Sequence, residues 1–70
     1  MKKLCITLSD EQYEAYENHI KRGSKINLEE ETFSGFGIIL NHCELGAWLE
    51  VDMYGKLDLG DVEWSIEDAK

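Results

Sequence analysis

The chain has no proline and only two cysteines in its 70 residues. Without proline, no helix or strand loses an N–H donor, so breaks must come from glycine and polar runs. Cys5 and Cys43 form no C-x2-C pair, and His19 and His42 form no H-x3-H pair. The ligand spacings of a structural zinc site are therefore missing, and no metal or other cofactor is expected. Basic residues are scarce, with seven Lys and Arg against fifteen Asp and Glu, for a net charge of −8. Nucleic-acid binders cluster Lys and Arg against phosphates, so direct contact with DNA or RNA is not expected. No apolar run approaches the roughly 20 residues of a membrane span, so no membrane partner is expected. The opening M-K-K-L-C-I-T-L is cut off by Ser9-Asp10-Glu11 before a secretory core can form. A cytoplasmic location is expected, and with it free thiols.

What the chain does contain is enough apolar matter to fold. Apolar residues make up 43% and charged residues 31%, which separates it from a disordered acidic tail. The length points to one domain spanning residues 1–70. A chain this short buries only about 60% of its unfolded surface, so the core is thin and leaves no room for a large internal cavity.

The charge is unevenly placed. Residues 1–26 hold four acids and five bases, a balance of +1, whereas residues 27–70 hold eleven acids against Lys56 and Lys70, a balance of −9. The negative excess therefore sits in the second part of the chain, where attraction to a basic partner is physically favoured.

That part is organised around Phe33–Gly55, which reads as a β-hairpin. Two strand-like runs, Phe36–Asn41 and Ala47–Tyr54, flank a short loop containing His42 and Cys43 and ending in Gly46. The second run alternates: Leu49, Val51 and Met53 on one face, Trp48, Glu50, Asp52 and Tyr54 on the other.

Upstream, Leu4, Ile6 and Leu8 alternate as a first strand. Ser9-Asp10-Glu11-Gln12 is a capping box that opens a helix, with Asp10 and Glu11 at its positive end. The helix is expected to run to Arg22, with Gly23 as a left-handed stop. Tyr13, Tyr16 and Ile20 form its apolar stripe, flanked by Gln12 and His19. Lys25–Leu28 alternates like a strand, and Glu29-Glu30-Glu31 then reads as a charged strand end or a loop.

Downstream, a three-residue loop (Tyr54, Gly55, Lys56) would set Met53 opposite Leu57 and Val51 opposite Leu59. Gly60-Asp61 fits a type II′ turn that would pair Leu59 with Val62 and Leu57 with Trp64. Glu67–Lys70 reads as a polar tail. The expected fold class is α+β: a single helix on one face of a four- or five-stranded, mainly antiparallel sheet in the order β-α-β-β-β-β.

One helix covers one sheet face, so the other should carry Ile39, Trp48, Glu50, Asp52, Tyr54, Asp58 and Glu63. A catalytic reading fails. His42 and Cys43 are sequence neighbours that point apart, and the carboxylates lack the apolar cleft that general acid–base work needs. A binding reading fits better, because Trp and Tyr are enriched at interface hot spots. Trp48 and Tyr54 among Glu50, Asp52, Asp58 and Glu63 suit a basic protein surface, through ion pairs and cation–π contact.

Alternate strand residues stand about 6–7 Å apart, a repeat comparable with phosphate spacing along nucleic acid. This is the logic of phage- or plasmid-type inhibitors that mimic DNA, anti-CRISPR and anti-restriction proteins among them. The analogy rests on size, acidity and the lack of other signatures. The alternative expectation is a homo-oligomeric structural or regulatory module, with Ile39, Trp48 and Tyr54 as a self-interface.

Overall fold

A computed structural model describes residues 1–69. The chain folds as β1 (Lys2–Thr7), α1 (Asp10–Glu30), β2 (Gly37–Cys43), β3 (Gly46–Asp52), β4 (Lys56–Asp61) and β5 (Glu63–Asp68). This is the expected α+β order of one helix and five antiparallel strands. The expected single sheet is instead two, β2-β3-β4 and the first strand paired with the last, β1-β5, because Gly60-Asp61 does not turn β5 back onto β4.

The helix starts as its capping box dictates. Ser9 is extended, its hydroxyl accepts from the Gln12 N–H, and the Gln12 amide oxygen accepts from the Ser9 N–H. The helix does not stop at Gly23 but continues to Glu30, so Lys25–Leu28 is helical, not extended. Gly23 is the buried point where Met53 packs against the helix backbone. The side chain is missing there to admit a neighbour, not to permit a positive φ. The left-handed cap is instead Glu31, at φ 55°. Asn27 secures the exit: its carbonyl accepts from Thr32 N–H at 2.9 Å, and its side-chain amide donates to Ser34 O at 2.9 Å.

β2 and β3 form the expected hairpin, but the turn is only Glu44-Leu45, with Cys43 opposite Gly46. His42 and Cys43 thus end a strand; they are not in a loop. The next turn places Val51 opposite Leu57 and Asp52 opposite Lys56, two residues from the expected pairing of Val51 with Leu59 and Met53 with Leu57. It turns through Tyr54 at φ 52° and Gly55 at φ 119°.

Gly60-Asp61 is not a turn. Leu49 lies opposite Gly60 and Glu50 opposite Asp58, leaving Leu59 as the extra residue of a β-bulge. Gly60 takes φ 85°, and its N–H donates to Asp58 Oδ1 at 2.8 Å. The chain then passes Val62, whose N–H donates to Ala47 O at 3.0 Å, and continues straight into β5. The expected pairs Leu59–Val62 and Leu57–Trp64 do not form, and Trp64 lies opposite Ile6. Glu67 and Asp68, expected in a polar tail, pair with Lys3 and Lys2, while Lys70 lies outside the described residues.

Ala47, Leu49, Val51, Met53 and Leu59 are buried. Ile6, Leu8, Ala15, Tyr16, Ile20, Leu40, Leu57 and Val62 close around them. Tyr13, expected inside, is 53% exposed and tilts against Tyr16, while Ala15 takes the inner position. The helix is rotated because its polar residues have work on the sheet edge. β4 is the outer strand of its sheet, with backbone carbonyls turned outward. The Gln12 side-chain amide donates to Leu59 O at 3.0 Å and Asp61 O at 2.7 Å. His19 Nε2 meets Gly55 O at 3.1 Å. The helix therefore seals the β4 edge as well as covering the sheet face.

Candidate functional site

The alternation that buries Leu49 and Val51 turns Trp48, Glu50 and Asp52 away from the helix. Pairing extends this outer face on both sides. From β2 it receives Ile39 opposite Glu50 and Asn41 opposite Trp48. From β4 it receives Asp58 opposite Glu50, Asp61 opposite Trp48 and Lys56 opposite Asp52. The face thus holds a half-buried Trp48 among Glu50, Asp52, Asp58 and Asp61, with Lys56 at one end.

Two contacts fix its centre. Asn41 Nδ2 donates to Glu50 Oε1 at 2.8 Å, which orients that carboxylate. Asp58 is held by the Gly60 N–H. Glu50 and Asp58 are therefore like charges set directly across two strands, an arrangement that disfavours folding.

Of the six residues expected at the site, four assemble: Trp48, Glu50, Asp52 and Asp58. Tyr54 does not join them. It sits in the β3–β4 turn, where its hydroxyl bonds the side chains of Asn27 and Thr32 at the helix end. Glu63 lies beyond Val62, opposite Thr7 in the two-stranded sheet. Without Tyr54 on this face, the expected self-interface of Ile39, Trp48 and Tyr54 is not a single surface. Asp61 and Asn41 belong to the site and were not expected there. Asp61 was hidden because glycine before aspartate signals a turn as readily as a bulge.

A second acidic feature lies at the helix C-terminus. Glu29, Glu30 and Glu31 occupy its negative end, and the last turn holds no basic residue. Acids there oppose the helix dipole. An open groove of about 600 Å3 beside them is lined by Ser24, Asn27, Leu28, Glu31, Thr32 and Phe33.

The residues most suggestive of chemistry are scattered. His42 lies on the inner face and meets the Trp64 ring edge-on at 5.6 Å, whereas Cys43 is on the outer face opposite Gly46. Both cysteines are free. Cys5 Sγ donates to Glu67 Oε2 at 3.2 Å. That hydrogen bond to a carboxylate, followed by burial and the charge of Glu67, raises the thiol pKa above its ordinary value. Among the described residues no three His, Cys, Asp or Glu side chains converge as a metal site. Among the same residues no helix is long and apolar enough to cross a membrane.

No family model, curated protein or solved structure matches the chain.

Proposed function

We propose that this protein is a small cytoplasmic, non-enzymatic binding protein. Its outer sheet face occupies a basic surface of a larger protein, of the kind that otherwise holds nucleic acid. It acts as an inhibitor in the manner of a DNA mimic, the strategy of phage- and plasmid-type anti-CRISPR proteins. The observation that carries the reading is the Glu50–Asp58 pair beside Trp48 and Asp61. Opposed carboxylates cost folding stability, and the single hydrogen bonds that Glu50 accepts from Asn41 and Asp58 from the Gly60 N–H leave both charges without a cation among the described residues. A partner's Arg or Lys set between them would relieve that repulsion and stack on the indole. The net charge of −8 favours approach to a basic surface and disfavours direct binding to phosphates.

The test is affinity capture with the tagged chain, run beside Glu50→Lys combined with Asp58→Lys. Capture of a basic protein at low salt, weakened about tenfold or more by charge reversal and by high salt, supports the reading. A partner retained equally well by the reversed variant, or in high salt, overturns it.

A further inference from the structure

The sheet edges differ in how they are protected. β1 carries Lys2 and Lys3, β5 carries Glu63, Glu67 and Asp68, and β4 is sealed by Gln12. Such charges and covers are the usual guards against edge-to-edge pairing. β2, G-I-I-L-N-H-C, has no charge, no proline and no bulge, and among the described residues no strand pairs with its outer edge. It is a neutral seven-residue strand in a chain of net charge −8.

The direction of its free backbone groups follows from one hydrogen bond. Ala47 O accepts from Val62 N–H, so Ala47, Leu49 and Val51 direct their backbone groups toward β4. Gly46, Trp48, Glu50 and Asp52 therefore bond to β2, through Cys43, Asn41, Ile39 and Gly37. Ile38, Leu40 and His42 are left with their N–H and C=O groups pointing outward from the sheet.

The geometry points to a second copy of this chain as the occupant of that edge. Antiparallel pairing of β2 with its symmetry mate over the full strand places a two-fold axis at Leu40, so Ile38 faces His42 of the other copy. Three bonded pairs form, with about six backbone hydrogen bonds. Every facing pair is uncharged: Gly37 with Cys43, Ile38 with His42, Ile39 with Asn41, Leu40 with Leu40. Two chains of the same strong charge meet at least cost through such a neutral seam. A stable dimer needs about 800 Å2 per partner. Ile38, 51% exposed, Phe36, 44% exposed, and Trp64, whose ring meets His42, lie exposed beside the edge and add to the strand's own area. The product is a continuous six-stranded sheet that carries two outer faces side by side. This inference uses the free backbone edge of β2, which adjoins the proposed binding face at Ile39 and Asn41, and it rests on backbone pairing, not on the charges of that face.

Sedimentation equilibrium of the full chain, with Ile39→Lys plus Asn41→Lys as the variant, decides the matter. In the monomer both introduced ammonium groups lie beside Glu50, so the fold tolerates them. In the dimer they oppose each other across the seam. The change also lowers the net charge, so any loss of dimer does not come from added overall repulsion. The expected result is a wild-type dimer and a variant of half that mass with unchanged far-UV dichroism. Amide exchange on the wild type is the second readout, with Ile38, Leu40 and His42 protected in concentrated protein and unprotected on dilution. A wild type that is monomeric at high concentration overturns the inference. So does a dimer that keeps its mass in the folded variant, or a dimer whose three amides exchange freely.

Discussion

Replacing Gly23 with alanine tests how the helix sits on the sheet. In an ordinary helix interior this change stabilises by about 1 kcal/mol, because glycine costs backbone entropy. Here a methyl group at Gly23 would lie 2.6 Å from Met53 Cγ and 2.7 Å from Met53 Cε, and closer still to its sulfur. Met53 is only 5% exposed, so its side chain has little space to retreat into. Overpacking of this kind costs about 1–3 kcal/mol. The net expectation for Gly23→Ala is a loss of about 0–2 kcal/mol. For a chain this short each kcal/mol lowers Tm by about 4–8 °C. In a Met53→Ala background the obstruction is gone, and the same change should stabilise by about 1 kcal/mol. The sign reversal, a coupling of about 2 kcal/mol, is the signature of direct contact. Urea unfolding followed by tryptophan fluorescence measures all four corners of the cycle. Met53→Ala alone costs about 2–5 kcal/mol, so all corners are compared in a sulfate buffer that strengthens apolar burial. Stabilisation by Gly23→Ala in the wild-type background would refute the reasoning, because it would mean that the helix stands clear of Met53.

Gln12→Glu keeps the oxygen that caps Ser9 but removes both donors to the β4 edge. A carboxylate so near a helix start ordinarily gains about 0.3–1 kcal/mol, whereas the lost donors cost about 1–3 kcal/mol, so a net loss near 1–2 kcal/mol is expected by thermal melting. A variant as stable as wild type would show that the edge carbonyls do not need the helix. Glu30→Lys should raise stability by about 0.3–1 kcal/mol in low salt by complementing the helix dipole, with the gain shrinking as salt is added. Cys5 should be alkylated only at higher pH than a free thiol, and Glu67→Gln should bring that midpoint down, as read by mass spectrometry of iodoacetamide adducts. Because the folded pKa is raised, the thiol's contribution to stability is complete below the unfolded value and is lost as pH rises through the folded one. The alkaline limb of the stability curve should therefore fall more steeply in wild type than in Cys5→Ser.

Local signals were legible where one residue type has one use. Ser9 and Gln12 announce the helix start, and the alternation from Ala47 to Met53 identifies a half-buried strand and its inner face. Glycine misled because it has several uses. Gly23 admits a neighbour in mid-helix and Gly60 allows a bulge in mid-strand, yet each reads in sequence as a stop. Both errors follow from the same physics, since what glycine's missing side chain makes room for lies elsewhere in the chain. Reading Gly60-Asp61 as a turn hides Asp61 from the outer face and places Glu63 on it, whereas the bulge sets Asp61 opposite Trp48 and Glu63 opposite Thr7. Alternation alone carries Tyr54 onto the outer face, but alternation ends where the backbone turns to positive φ. Its hydroxyl partners, Asn27 and Thr32, lie more than twenty positions upstream, beyond the reach of any local pattern.

The pairing of the first strand with the last also sets a timetable. Lys2 and Asp68 are neighbours in space though 66 positions apart in the chain. The helix and the β2-β3-β4 meander close over short distances in the chain and can assemble early in folding. β1 cannot: until β5 is made, Leu4 and Ile6 have no strand to pair with. Its closure is a long-range event, which is slow relative to local pairing. The β1 segment thus stays unpaired until late in folding. The same strand should be the first to peel away under mild denaturant.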